Sequence, residues 1–217
     1  MSNALNKADE LFHGNQGLDL DAAHKYVAKA LNGTDDGELF LEYRESESIS
    51  LDDRRIRAAS FDTRRGFGLR AVLGEAVYFA HAGDLSAPAL ARAAETIRAA
   101  KAMEYSVSAA DPIPAAAPLY EGVNPLGEAP FAERAALLKR IDDFARAADP
   151  RVVQVMASIA GEWQVIEIIR AGGARVADIR PLVRLNISKR ISRSRIISSY
   201  PSVSSKVRER MATGSSL

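Results

Sequence analysis

Apolar and polar residues alternate along Phe67–Leu73, and a second, mostly apolar run follows over Ala76–Ala82. Alternation with a period of two is typical of a strand with one buried face. Gly74-Glu75 separates the two runs and predicts a short hairpin turn. Ser86 supplies a side-chain oxygen that can cap a helix. The pattern therefore predicts a hairpin that leads into a helix running from Ser86 to about Met103.

Further strands are predicted before this hairpin. Leu39–Glu45 is rich in apolar and aromatic residues, whereas Ser46–Asp53 is largely polar and charged. Because alternating charge discourages association, we predict that Ser46–Asp53 is an edge strand. Asp52-Asp53 predicts a turn, and Ile56–Phe61 a further strand. With the hairpin, these segments predict an antiparallel meander of about four or five strands.

The second half of the chain predicts another meander. Arg151–Ala160 and Glu162–Arg170 both alternate, and Ala160-Gly161 is predicted to form a turn between them. Gly172-Gly173 predicts a turn into a third long strand, Arg175–Ile187. This second meander either extends the first sheet or forms a sister sheet.

Two further helices are predicted from apolar stripes at helical spacing. Asp19 or Asp21 can cap one helix that ends near Leu31, and Pro130 opens another that ends near Ala148. The stripe of the later helix consists of Leu137, Leu138, Ile141 and Phe144. The predicted fold class is therefore α+β, with antiparallel β meanders and helices packed on one face.

Two stretches are predicted to be connections. Leu11–Gly17 contains glycine and asparagine, and residues 104–129 are rich in proline, alanine and glycine. Each proline removes a backbone donor and restricts the residue before it, so residues 104–129 favour an extended connection. This connection marks a subdivision within residues 1–188.

Composition excludes several classes of protein. No apolar run approaches the ~20 residues that a membrane-spanning helix needs. The first residues, MSNALNKADELF, lack the pattern of a secretory signal. The chain of 217 residues has no cysteine, which is typical of a reducing compartment. We therefore predict a cytoplasmic protein with no membrane partner.

The near-neutral overall charge of +1 conceals a basic carboxy-terminal segment. Residues 189–217 are rich in serine and carry one acidic residue, Glu209. Their basic residues are Lys189, Arg190, Arg193, Arg195, Lys206, Arg208 and Arg210. This tail could contact nucleic-acid phosphates, but Tyr200 is its one aromatic residue, so base stacking has little support.

The histidines do not predict a metal site. His13, His24 and His81 are scattered, and none has a second histidine four or five residues away. A zinc hydrolase needs two or three nitrogen or carboxylate ligands on a rigid element and a carboxylate base. We predict a connector residue for His13, a helical residue for His24 and a strand-end residue for His81. No catalytic, cofactor-binding or metal-binding residue is predicted in this chain.

Two other groups have simple structural interpretations. Gly66-x-Gly68 lacks the third glycine and following helix of a dinucleotide fingerprint, so we predict that these glycines allow close approach of another backbone. Acid and base pairs could in principle form among nearby carboxylates, but we predict solvated charges. These carboxylates are Glu42, Glu45, Glu47, Asp52 and Asp53.

Three blocks of sequence resemble one known family. Arg65-Gly66-Phe67-Gly68-Leu69-Arg70-Ala71-Val72, followed by Gly74-Glu75 and Tyr78-Phe79-Ala80, resembles the glycine-rich hairpin of the amino-terminal domain of the TldD/PmbA family. Ala177-Asp178-Ile179-Arg180-Pro181-Leu182-Val183-Arg184-Leu185 resembles the TldD branch, as does Pro118-Leu119-Tyr120 followed by Asn124-Pro125-Leu126. The resemblance covers roughly residues 17–188 and identifies residues 1–188 as an amino-terminal family domain.

The resemblance implies a function that this chain carries only in part. The family's members are bacterial and archaeal zinc-dependent peptidases linked to modulation of DNA gyrase and to peptide maturation. Their HExxxH motif lies in the carboxy-terminal half, and this chain contains no such motif. The resemblance therefore implies a non-catalytic, amino-terminal part of a TldD-like peptidase, with zinc in full-length relatives. It also implies a peptide substrate and a TldD/PmbA-type partner subunit.

Two alternatives concern residues 189–217, which differ abruptly in composition from what precedes them. A frameshift or truncation of the coding sequence is one interpretation, and a genuine divergent tail is the other. The second interpretation leads to a different function, in which the chain acts alone as a binding or assembly module. Its basic tail would then contact nucleic acid or a partner protein.

Overall fold

Five strands form a single sheet in the computed structural model of the protein, which describes residues 3–14, 17–101, 120 and 122–192. The strand order is β3-β2-β1-β4-β5, and every neighbouring pair is antiparallel. The elements are α1 (Asn3–Phe12), α2 (Leu20–Leu31), β1 (Asp36–Asp52), β2 (Arg55–Leu73), β3 (Ala76–Ala82), α3 (Ala87–Lys101), α4 (Phe131–Ala148), β4 (Val152–Arg170) and β5 (Arg175–Ile191). The predicted α+β class is confirmed, and the two predicted meanders belong to one sheet.

Strand β1 lies in the middle of the sheet, where the prediction of an edge strand for Ser46–Asp53 is wrong. The segment pairs with β2 on one side and β4 on the other. Ile49 and Leu51 are buried beneath α4, in a cluster with Leu138. The even-numbered polar residues of this segment alternate with those buried positions and so occupy the other face of a central strand. Glu47 lies on the helix-facing side, where Arg134 of α4 donates a hydrogen bond to it.

The predicted break at Ala160-Gly161 is also wrong, because Gly161 lies inside the continuous strand β4. A Cβ built on Gly161 would come within 2.4 Å of the Leu126 side chain. The glycine therefore makes room for a side chain that packs against the strand. Similarly, the segments predicted as separate strands at Ile56–Phe61 and Phe67–Leu73 are joined in β2.

The three hairpin turns lie where the sequence predicts them. Asp53 and Arg54 have φ values of 48° and 69°, and Gly74 has φ of 59°. Gly172 and Gly173, with φ of 90° and 87°, join β4 to β5. Glycine tolerates positive φ without a Cβ clash, which favours it at such turns.

Helices α2, α3 and α4 are present as predicted, but the stripe predicted for α4 is wrong at Phe144, which is exposed while Leu138 is buried. Asp19 accepts a hydrogen bond from the backbone N–H of Ala22 and so caps α2. Helix α3 begins one residue after Ser86, and Pro130 is the N-cap residue of α4. Helix α1 was not predicted, and its last two residues lie in the segment Leu11–Gly17 that was predicted to be a connector. Its fully buried residues are Ala8 and Phe12.

All four helices lie on the same face of the sheet. Leu39, Leu41 and Leu69 pack against α1 to α3 in the main core, and Ile49 and Leu51 pack against α4. Since side chains alternate across a strand, the odd-numbered positions of β1 form one continuous helix-facing surface. The prediction of helices on one face is confirmed. Among the described residues, no helix covers the opposite face, called the bare face below.

Two predicted features lie mainly outside the described residues. The connection at residues 104–129 and the tail at residues 189–217 are described only at residues 120, 122–129 and 189–192. The subdivision and the origin of the tail therefore stay predictions. No described helix combines the length and apolarity needed to cross a membrane.

Candidate functional site

A cavity of about 510 Å³ opens on the bare face across β1, β2 and β3. We call it the open-face groove and define it by Glu38, Phe40, Gly68, Phe79 and His81, all of which line it. Strand pairing places Phe40 opposite Gly68, and Gly68 opposite His81, in one row across three strands. The register of the β2–β3 hairpin therefore assembles the groove.

The floor of the groove depends on a glycine beneath an aromatic ring. A Cβ on Gly68 would lie 2.9 Å from the ring of Phe79, so a larger residue would displace that ring. Phe79 stacks on His81 with ring centroids 5.7 Å apart, yet Phe79 is 62% exposed. A Cβ on Gly66 would meet the carbonyl oxygen of Ala82 at 2.7 Å. The predicted close backbone approach is thus observed at Gly66, whereas Gly68 accommodates a ring.

The groove is lined by four arginines and two glutamates, so its charge is mixed with an excess of cations. Arg70 lies 3.3 Å from Asp36 and 3.7 Å from Glu38. Arg44 lies between Glu42 and Glu162, at 3.9 Å and 3.7 Å. Such partly exposed pairs contribute little to stability, but they leave a cleft whose floor is apolar and whose rim has both signs of charge.

The carboxylates considered as acid and base pairs each have a different polar partner. Glu42 accepts a hydrogen bond from Gln164, and Glu45 accepts from Tyr43 and Asn124. The remaining partners are Arg134 for Glu47, Gln154 for Asp52 and Arg146 for Asp53. None of these contacts joins two carboxylates, so the contacts indicate cross-strand and helix–sheet links rather than a catalytic dyad.

A second cavity of about 540 Å³ lies on the helix-covered face beside α1. Lys7, Tyr43, Glu45 and Trp163 are among its lining residues, and the Lys7 ammonium lies 5.7 Å from the centre of the Trp163 ring. Burial, the hydrogen bond to Glu45 and the charge of Glu45 raise the pKa of Tyr43 to about 12. Tyr43 therefore stays a neutral donor to Glu45 throughout the physiological range.

A buried polar network connects α1 to strands β4 and β5. The His13 Nε2 atom lies 2.7 Å from Oε2 of Glu167, and its Nδ1 atom lies 2.7 Å from the carbonyl oxygen of Leu18. Arg175 donates to the other oxygen of Glu167 at 2.5 Å and to Asp9 at 2.5 Å. Glu167 is fully buried, so these partners supply the hydrogen bonds and opposite charge that a buried carboxylate requires.

The sequence did not predict this network. It does contain one signal, since Glu167 interrupts an otherwise apolar run in β4. The three histidines are not brought together: His13 follows α1, His24 lies on α2 and His81 lies in β3. Among the described residues, no group of three histidine, aspartate or glutamate side chains is arranged to hold a metal ion. The described donor set therefore does not fit a zinc centre.

Two family profiles match the chain. One, described as PmbA/TldA metallopeptidase domain 1, matches residues 37–103, and another, described as PmbA/TldA metallopeptidase central domain, matches residues 124–216. Together they span most of the chain. The second match continues well past Ser188, where the sequence resemblance was expected to end.

Curated relatives and solved structures agree with these matches. The chain is 34% identical over 157 residues to a metalloprotease TldD homolog of Haemophilus influenzae, covering 71% of this chain and 33% of that protein. The TldD homolog of Buchnera aphidicola from Schizaphis graminum is 30% identical over 155 residues, with coverages of 71% and 32%. The chain thus spans about a third of the length of these relatives.

Two crystal structures share the fold at low sequence identity. A protein described as a modulator of DNA gyrase, from Bacteroides thetaiotaomicron, aligns with a TM-score of 0.65 and 14% identity, covering 79% of this chain and 41% of that one. TldE from Thermococcus kodakarensis aligns with a TM-score of 0.54 and 17% identity, with coverages of 78% and 39%. These similarities support the architecture described above.

Proposed function

The chain belongs to the PmbA/TldD metallopeptidase family, and we propose that it supplies the non-catalytic, peptide-holding part of a TldD-like zinc peptidase. The open-face groove is the observation that carries this proposal. Its Phe40 and Phe79 offer apolar contact to a side chain, while the paired charges around Arg44 and Arg70 suit the mixed polarity of a peptide.

The chemistry of peptide hydrolysis is proposed to reside outside this chain. A family zinc ion would polarise the peptide carbonyl and activate water, and the described residues of this chain supply no ligand set for it. This chain's part would be to bind and orient an extended peptide beside that centre. A partner subunit of the same family and a cytoplasmic location complete the proposal.

Binding of a labelled peptide tests the groove directly. We propose to measure fluorescence anisotropy of an unstructured eight-residue peptide that carries Phe and Leu at alternating positions. Phe79→Ala should weaken binding at least about fivefold, since truncating an aromatic anchor at an interface commonly costs more than about 1 kcal/mol. Because Phe79 is largely exposed, the substitution should leave the fold intact.

A matched control comes from another exposed phenylalanine. Phe144 on α4 is 76% exposed and lies on the opposite side of the sheet from the groove. Phe144→Ala should leave peptide affinity unchanged. Equal affinities of the wild-type and Phe79→Ala proteins, or equal losses in both variants, would refute the groove as the peptide-holding surface.

A second measurement concerns catalysis. The purified chain, supplied with Zn²⁺, should not hydrolyse the same peptide, as judged by mass spectrometry of the reaction. Hydrolysis that a chelator abolishes and that Phe79→Ala reduces would show that this chain has a catalytic centre of its own. That outcome would overturn the proposal that this chain binds peptide while catalysis takes place outside it.

A further inference from the structure

Strand β5 presents a long open edge. It is the last strand of the sheet and spans Arg175–Ile191, and no strand of the described residues pairs with its outer side. At the opposite end of the sheet the edge strand is only the short β3, Ala76–Ala82. An open edge carries unpaired N–H and C=O groups that can accept another extended chain.

The distal part of this edge carries several exposed apolar side chains. We call residues 182–191 the distal β5 segment. Its exposed apolar residues are Leu182, Val183, Leu185, Ile187 and Ile191, with exposed fractions between 46% and 57%. Val183, Leu185 and Ile187 share the helix-facing side with the buried Ile179, because alternate positions of a strand point to one face. The apolar stripe thus continues beyond the part that the core covers.

The same segment carries only positive charge. Arg184 and Arg190 alternate with the apolar stripe and so lie on the bare face, and Lys189 lies between Ser188 and Arg190. There is no acidic residue from position 179 to 192. Within the described part of the chain, no ion pair is formed by Arg184 or Arg190. Charges alone often protect an edge strand, but a protective edge does not need an exposed apolar stripe.

The positive charge of the distal β5 segment indicates which kind of chain can pair with this edge. Pairing β5 with β5 of a second copy would bring one cationic segment against another. Residues 193–217 of the same chain carry five basic residues and a single acid, so they are equally unsuited. We propose that the distal β5 segment binds an extended segment of a partner protein in which apolar and acidic residues alternate. This proposal is independent of the peptide groove, which lies across β1 to β3.

The probe for this edge is a labelled eight-residue peptide of alternating valine and glutamate. It should bind the full chain, and binding should weaken on raising salt from about 50 mM to about 500 mM because exposed charges are then screened. Peptides with lysine in place of glutamate, or with proline at the central positions, should not bind. Hydrogen exchange should slow at backbone amides of residues 182–191 when the acidic peptide is added.

Charge reversal on β5 provides the decisive variant. Arg184→Glu with Arg190→Glu should weaken peptide binding by roughly tenfold or more, since like charges then face each other. A control with the same change in net charge is Arg55→Glu with Arg92→Glu, on exposed positions of β2 and α3. This control variant should bind the peptide as the wild-type protein does.

Three results would overturn the proposal. The first is equal binding of the acidic and lysine-containing peptides. The second is equal weakening in both double variants, which would indicate a general charge effect. The third is a dimer of the wild-type chain that buries residues 182–191, seen as exchange protection that depends on protein concentration without peptide. If Phe79→Ala loses binding of the Phe- and Leu-containing peptide but keeps binding of the valine–glutamate peptide, the groove and the β5 edge are separate sites.

Discussion

The imidazole of His13 and the carboxylate of Glu167 lie 2.7 Å apart although 154 positions separate them in the chain. Both ring nitrogens of His13 face acceptors, Glu167 on one side and the carbonyl of Leu18 on the other. Only a doubly protonated ring can donate to both. The geometry therefore assigns His13 as an imidazolium that attaches the end of α1 to β4.

Stability should depend on pH through His13. Burial lowers the pKa of His13, but the hydrogen bonds to Glu167 and to the Leu18 carbonyl, with the charge of Glu167, outweigh it and raise the pKa above 6.5, despite the opposing charge of Arg175. A raised folded-state pKa means that this stabilisation is fully present below the unfolded pKa and is lost as pH rises through the folded pKa. The free energy of unfolding in urea should therefore fall as the pH rises from the unfolded-state pKa of His13 through its folded-state pKa.

A histidine control separates this effect from the titration of other groups. His13→Gln should remove the fall in the free energy of unfolding over that window. His81→Gln should retain the fall, because His81 is an exposed groove residue on β3. An unchanged pH profile in His13→Gln would show that His13 is not the titrating group.

Glu167→Gln should destabilise the protein strongly. Glu167 is fully buried and accepts from both Arg175 and His13, so its neutral replacement removes the countercharge of His13 and leaves Arg175 with Asp9 as its acidic partner. Breaking a buried pair from one side commonly costs roughly 3 kcal/mol or more. Thermal or urea unfolding checks this, and Glu95→Gln, at an exposed pair on α3, should leave the midpoint unchanged.

Truncating two residues of the same predicted stripe on α4 should change stability to very different extents. Leu138 is fully buried against Ile49, Leu51 and Ala157, so Leu138→Ala should cost roughly 2–5 kcal/mol. Phe144 is 76% exposed, and Phe144→Ala should change the free energy of unfolding by less than about 0.5 kcal/mol. Equal losses in urea unfolding would contradict the observed orientation of α4.

Gly161→Ala should destabilise the sheet although the residue lies in a regular strand. The new Cβ would approach the Leu126 side chain to 2.4 Å, and the displaced leucine would lose packing, with a cost of roughly 1–3 kcal/mol. Gly127→Ala is the matched control, since nothing lies within 4 Å of its Cβ position. Calorimetry of both variants should show a lower unfolding temperature for the first alone.

The local elements could be predicted because their signals are local. Helix α2 follows from a capping aspartate and an apolar stripe, and the β2–β3 hairpin follows from alternation on both sides of Gly74-Glu75. Phe144 shows the limit of this reasoning. The periodicity placed it on the buried stripe of α4, but the buried residues of α4 are Leu138, which packs on the sheet, and Asp142. Which part of an amphipathic helix is covered depends on its partner.

The strand boundaries could not be predicted reliably, because they depend on pairing between segments that are distant in sequence. Ser46–Asp53 is polar enough to suggest an edge, yet β2 and β4 both pair with it along its length. Gly161 is typical of a turn by composition, but the space it leaves is filled by Leu126, which lies far away in sequence. Neither partner can be identified from the pattern around the residue itself.

The candidate site was predicted only in part. Gly66-x-Gly68 predicted a close approach, which is observed, but the ring of Phe79 over Gly68 follows from the register of β2 and β3. The absence of an HExxxH motif was evident from the sequence alone. The network of Asp9, His13, Glu167 and Arg175 could not be predicted, because it joins α1 to strands from the far end of the chain.

The pairing of β1 with β4 has a consequence for how the chain folds. Strand β1 lies in the segment matched by the first family domain, and β4 lies in the segment matched by the central domain. The two named domains are therefore halves of one sheet, joined along the β1–β4 ladder that runs from Glu38 opposite Arg170 to Asp52 opposite Met156. Closing so long a loop costs entropy before the contacts form, and folds with high contact order are slow. The side of β1 that pairs with β4 stays unpaired until the second half has been synthesised.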